Sequence, residues 1–254
     1  MIDLIVFRVD TNRYAIKIEN IQRIIQAESL TNIPSSNKFI DGMMSHENKV
    51  IKVLSFRKLI GMNSYDEELK VLFAKFKVAH GAWVESLKVA INTGSEFTKT
   101  TNPHMCELGK WIDAFNSYDD SMSIIFRELV EYHKQLHHRG GDAIEMYRHN
   151  KVEAKRILDV DINNIYGHTM GALDTFVNQL DTVANSLQKL IIYENAGKVF
   201  AIKVDIIEDI AHAQESSIMH SNEEDEFTES LELDGVLDLN GVLINVIKTV
   251  RIPS

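Results

Sequence analysis

The sequence predicts a multi-domain protein of separate α and β parts: a duplicated β unit, most simply a double β-barrel sharing one core, split by an inserted antiparallel four-helix bundle. Three observations carry this reading. The two ends of the chain repeat each other in two blocks, the first at a constant offset of 186 residues. In both repeats short β-branched runs are separated by turn-type residues, the pattern of strands joined by tight turns. Between the repeats the apolar period changes from two to about 3.5, which is helical.

The first repeat runs Leu4-Ile5-Val6-Phe7, then Tyr14-Ala15-Ile16-Lys17-Ile18, then Ile21 and Ile24. Its counterpart is Leu190-Ile191-Ile192-Tyr193, then Phe200-Ala201-Ile202-Lys203-Val204, then Ile207 and Ile210. A second block repeats in the same order: Ile40-Asp41-Gly42-Met43-Met44 with Val50–Leu54, and Leu233-Asp234-Gly235-Val236-Leu237 with Leu243–Ile247. Between them lie three long stripes. One passes through Leu69, Phe73, Phe76, His80, Trp83 and Leu87, a second through Met122, Phe126, Leu129, His133, Leu136 and Gly140. The third begins at Leu158 and Ile162 and continues to Leu187. A shorter helix fits 103–116, with Asn102 as N-cap and Pro103 at the first helical position. Asn150 and Glu153 read as a capping box for the last helix. The expected domains are therefore residues 1–64 and 189–254 for the β unit and 65–188 for the bundle, with both insertion points close together on the β unit.

Composition narrows the function. With 44% hydrophobic and 25% charged residues the chain is a folded globular one. Its net charge of −10 and lack of a basic block remove the electrostatic footprint of a nucleic-acid binder. No apolar run approaches bilayer-spanning length. The opening MIDLIVFRVD reads as a strand and not as a signal peptide. One cysteine cannot close an internal disulfide, and a cytoplasmic location follows as the expectation. The acidic stretch 220–232 reads as a solvated loop between strands.

Two helical stripes carry histidine where an apolar residue is expected. His80 does so on the first helix and His133 on the third, with His137 one turn further on the same face. Cys106 falls in the first turn of the short helix, where the helix dipole favours a thiolate. Three imidazoles and one thiolate form a closed tetrahedral set suited to Zn²⁺. His138 lies about 100° round the helix from this face. His46, His104, His149, His168, His212 and His220 read as surface or supporting positions. An iron site of the ferritin type would need inward carboxylates, and Glu85, Glu128 and Glu131 fall off the stripes. A hydrolytic site would need an open coordination position, which four protein ligands do not leave.

His80 with Trp83, the Cys106-Glu107-Leu108-Gly109-Lys110-Trp111 stretch, and His133-Lys134-Gln135-Leu136-His137 together resemble the chemoreceptor zinc-binding (CZB) domain. That resemblance implies a four-helix bundle whose zinc ligands are His80, Cys106, His133 and His137. The β halves resemble a CheW domain, the adaptor that couples chemoreceptors to the histidine kinase CheA. The family's G-V-I-N-L-R-G-x-V-I-P-V-I-D-L stretch is matched by Gly42 to Phe56, and its second half by Leu190–Ile252. The resemblance implies an adaptor rather than an enzyme, with chemoreceptors and a CheA-type kinase as partners and a homodimer through the helical domain. It further implies sensing of oxidants such as hypochlorous acid, or of zinc, through redox-active Cys106; zinc that only stabilises the bundle is the alternative. At the partner-binding turn the family's basic residue is Glu47 here and the following glycine is Asn48. A charge reversal at a contact costs several kcal/mol against the usual partner.

Overall fold

The computed structural model describes residues 1–31, 37–115, 120–220 and 226–252. Contacts divide the chain into two compact units, residues 1–65 with 184–254 and residues 66–183.

In the first unit the chain opens with β1 (Ile2–Val9), β2 (Asn12–Lys17), β3 (Ile21–Gln26), β4 (Ile40–His46) and β5 (Lys49–Ser55), followed by the single turn α1 (Phe56–Leu59). After the insert come β6 (Lys189–Asn195), β7 (Lys198–Val204), β8 (Ile206–Ala213), β9 (Glu226–Thr228), β10 (Leu231–Leu239) and β11 (Val242–Val250). These make the two sheets of the expected double barrel, ordered β8-β1-β2-β11-β10-β9 and β3-β6-β7-β5-β4. Replacing each strand by its repeat partner converts the first order, β9 aside, into the second. The duplication is thus interleaved: each sheet takes strands from both halves. Its parallel pairings, β2 with β11 and β5 with β7, join a strand of one half to a strand of the other. Within the acidic stretch, residues 221–225 lie outside the described residues, while 226–228 form a strand against β10 instead of the expected loop.

Period-two alternation divides the side chains between cores. Ile5, Phe7 and Val9 enter a central core with Tyr14, Ile16, Ile191, Tyr193, Phe200 and Ile202, built from both halves. The alternate residues Leu4, Val6 and Ala15 fill a second cluster, and Leu190, Ile192 and Ala201 a third. Strands buried on both faces explain the near-continuous apolar runs. Backbone devices repeat as well. Gly42 and Gly235 each sit at a register shift, where a Cβ would lie 2.9 Å from the Thr31 carbonyl oxygen and 2.4 Å from that of Met219. Only glycine admits so close a backbone approach.

This unit also holds a buried polar node. Arg57 makes paired hydrogen bonds to Asp205, Nε to Oδ1 at 2.8 Å and Nη2 to Oδ2 at 2.7 Å. Gln188 donates to Asp205 at 3.1 Å, and the Arg57 guanidinium lies 4.6 Å from the Tyr65 ring centre. Tyr65 opens the first long helix and Gln188 follows the last one.

The second unit is the helical insert. It contains α2 (Tyr65–Thr93), a 3₁₀ turn (Pro103–Met105), α3 (Glu107–Ala114), α4 (Asp120–His149), α5 (Lys151–Arg156), α6 (Asn163–Asn178) and α7 (Leu180–Leu187). The expected last helix is therefore not one α-helix: residues 157–162 form a π-helical segment between α5 and α6, and a break follows at Gln179. Asn150 caps α5 by accepting from Glu153 N at 3.0 Å. The reciprocal half of the capping box is missing, because Glu153 pairs with Arg156 and the Asn150 N–H donates to Met146 O.

Candidate metal centre

The inward stripe of α2 buries Phe73, Phe76, His80, Trp83 and Leu87. His80 Nδ1 lies 2.8 Å from the Phe76 carbonyl. A carbonyl can only accept, so Nδ1 carries the proton and Nε2 presents a lone pair. On α4, His133 and His137 lie one turn apart and meet edge-on, with ring centres 4.8 Å from each other, and 5.1 and 5.7 Å from His80. Cys106 closes the group, its Sγ 3.2 Å from His133 Nε2 and 3.8 Å from His80 Nε2. One ligand atom from each of the four residues lies within 4.8 Å of all the others, and no other such group of ligand-type residues occurs among the described residues. A tetrahedral zinc with ordinary Zn–S and Zn–N bonds separates S from N by about 3.6 Å, which these distances bracket.

Cys106 departs from its expected place. It is not in the first turn of the short helix but is the residue between the 3₁₀ turn and α3, where it acts as the N-cap and accepts from Gly109 N at 3.2 Å. A Cβ on Gly109 would stand 1.7 Å from Pro103 O, so glycine at this spacing is what lets α3 close on the 3₁₀ turn. Trp83 supports the other side: its ring packs 4.9 Å from His137, its indole N–H donates to Thr100 O at 2.8 Å, and Gly140 leaves room for it on α4.

The electrostatics favour a cation. Burial pushes His133 down to about 2, with His137, His80 and His104 adding to the effect. Burial, then the His80 charge, pushes His137 down to about 4 against a weaker opposite pull from the Thr100 backbone. Burial also lowers His80. All three rings are therefore neutral donors at physiological pH. Burial raises Cys106 as well, outweighing the backbone N–H groups of Gly109 and Leu108, so the helix start alone does not produce the expected thiolate. A bound divalent cation would reverse that balance. His137 adds an independent sign: its ring is wholly buried, and neither nitrogen has a hydrogen-bond partner among the described residues. The donor set and this unsatisfied ring fit Zn²⁺.

The other histidines lie outside the cluster. His138 is exposed, His104 pairs with Asp113 at 3.0 Å, His168 stacks on Tyr132, and His212 pairs with Asp3. Sequence reasoning missed two supports, the Gly109 N–H on sulfur and the packing of Trp111. The Trp111 ring meets Phe73 at 5.1 Å, Phe115 at 5.0 Å and Phe176 at 6.0 Å, which anchors α3 independently of any metal. The Cys-x-x-Gly spacing was a legible signal for the first; the second joins residues far apart in sequence. Glu47 is exposed and takes φ 48° in the two-residue β4–β5 turn, followed by Asn48 at 61°.

Comparisons with known proteins match two parts of the chain. The family described as CheW-like domain matches residues 3–80, and the chemoreceptor zinc-binding domain matches residues 80–144. A curated relative, the chemotaxis protein CheW of Thermotoga maritima, is 24% identical over 76 residues, 30% of this chain and 50% of the relative. The match thus spans about half the length of that relative. Among solved structures, the scaffolding protein TtCheW from Thermoanaerobacter tengcongensis is similar at a TM-score of 0.45 and 12% identity, covering 97% of this chain and 88% of that one. The second β half lies beyond the first match, but its strands share both sheets with those of the first half. The chain therefore unites a CheW-like domain with a chemoreceptor zinc-binding domain inserted between its halves.

Proposed function

We propose that this protein is a cytoplasmic chemotaxis adaptor whose inserted bundle senses oxidants, of the hypochlorous-acid type, or zinc itself. The observation that carries the reading is the gathering of His80, Cys106, His133 and His137 around one point, with the sulfur partly accessible and the three rings buried. Zn²⁺ held there would supply a charge that keeps Cys106 a nucleophilic thiolate. The sulfur attacks hypochlorous acid, chloride leaves, and the oxygen stays on sulfur as a sulfenic acid. That removes the only anionic donor of the set. No second cysteine is present to form an internal disulfide, so an external thiol must restore the reduced state. Four protein donors leave no open position for substrate water, which supports an adaptor and not a metalloenzyme.

The partners are proposed to be chemoreceptors or a CheA-type kinase, together with a second copy of the chain through the helical domain. Glu47 at the β4–β5 turn sets this chain apart, because its negative charge opposes a partner surface selected for a basic residue. The test is to titrate the zinc-loaded protein with hypochlorous acid while following released zinc, methionine oxidation and co-sedimentation with receptor–kinase assemblies. Zinc release and altered co-sedimentation at about one oxidant per chain, with methionines intact, are expected. Zinc retained until the methionines oxidise would leave only the structural role, which the aromatic anchorage of Trp111 favours.

A further inference from the structure

Helix α2 carries two seams with the same 4-3-4-3-4 spacing. The inner one, Leu69, Phe73, Phe76, His80, Trp83 and Leu87, is buried in the bundle. The outer one, Val71, Lys75, Val78, Ala82, Glu85 and Val89, is exposed along its whole length. Val71, Val78 and Val89 are 56%, 74% and 55% exposed. Valine is a poor choice for a solvated helix face, since it lowers helix propensity and leaves apolar surface in water. This spacing is the one that lets two helices pack side by side as a coiled coil.

The seam is also complementary to itself in one direction only. Setting a second α2 antiparallel, with the twofold axis beside residue 80, brings Val71 to the partner subunit's Val89 and Val78 to the partner subunit's Ala82. The same register brings Lys75 to the partner subunit's Glu85, and symmetry makes that contact twice. A parallel arrangement in register would set lysine on lysine and glutamate on glutamate, which is unfavourable. Glu85 already pairs with Lys88 at 2.8 Å on its own helix, so each crossing contact adds a second cation to one carboxylate. We propose that the outer seam of α2 is the face on which a second copy of this chain docks, antiparallel, as a closed twofold dimer. The proposal rests on the homodimer reading above and names its face and register.

Sedimentation velocity on the full-length zinc-loaded protein tests it, comparing wild type with Lys75→Glu, Glu85→Lys and the double variant. The side chains concerned face solvent, so helicity and zinc content should not change in any of them. Wild type is expected to be dimeric, each single variant to dimerise at least about tenfold more weakly, and the double charge exchange to recover wild-type association. Dimeric single variants would overturn this face while leaving the homodimer reading intact. Single variants that dissociate without rescue by the double would overturn the antiparallel register, and a monomeric wild type would overturn both readings.

Discussion

At His137 a wholly buried ring stands with both nitrogens unsatisfied, an arrangement that costs several kcal/mol unless something else occupies a lone pair. His137→Ala and Cys106→Ala are therefore expected to purify with well under one equivalent of zinc, whereas exposed His138→Ala retains it, as metal analysis will show. The same residues set a pH dependence in the metal-free protein. His137 and His133 fall from the ordinary 6.5 to about 4 and about 2 in the folded state, so below pH 6.5 the unfolded chain binds more protons. Stability contributed by the neutral rings is present above pH 6.5 and declines steadily as the pH falls towards 4. Urea midpoints at pH 7.5 and 5.5 in the presence of a chelator should drop accordingly, and drop less in His137→Gln; equal slopes for the two proteins would contradict the assignment. At the β4–β5 turn, on the proposed adaptor function, Glu47→Arg should strengthen co-sedimentation with receptor–kinase assemblies.

At the scale of elements, periodicity explains what could be read without coordinates. The repeated blocks located the paired strands, and the stripe through Leu69, Phe73, Phe76 and His80 located both a helix and the histidine it brings to the cluster. Pattern reasoning failed where one residue changes the local winding or where contacts join distant residues. Cys106 became an N-cap because Pro103 and Asn102 start a separate 3₁₀ turn ahead of α3. The π segment at 157–162 keeps Ile157, Leu158 and Ile162 buried, so its apolar pattern resembles that of an α-helix. Asp161 in this segment accepts from Arg139 of α4 at 2.5 and 3.0 Å and from Arg156 at 3.2 Å. Asp161→Ala removes these bonds, and hydrogen exchange is expected to quicken at 157–162 before it does in α4. Unchanged exchange would mean that packing alone holds the segment.

At the scale of the whole molecule, the node at Arg57 and Asp205 had no sequence signal, because its members are 148 residues apart. Arg57 is almost completely buried, so removing its partner strands a charge. Arg57→Met or Asp205→Asn should each destabilise the β unit by about 3–5 kcal/mol, the usual result of breaking one side of a buried pair. The helical unit contains all four clustered residues and its own apolar core. Expressed alone as residues 66–183 it should fold and bind zinc; a fragment that stays unfolded with zinc supplied would show that it depends on the β unit.

Interleaved strands also impose an order on biosynthesis. When the ribosome has completed β1 to β5, neither sheet can form, since β1 and β2 both lack the neighbours that β8 and β11 later provide. The nascent hairpins must then wait while the whole helical insert is translated, on the order of ten seconds at ordinary elongation rates. During that interval their hydrogen-bonding edges are open to wrong pairing, including with another nascent chain. An insert that collapses as it emerges keeps the two halves tethered close together and shortens the effective loop their strands must close. Early collapse of the insert thus favours the yield of the β unit, and truncation just before Lys189 leaves a complete helical insert attached to unpaired strands.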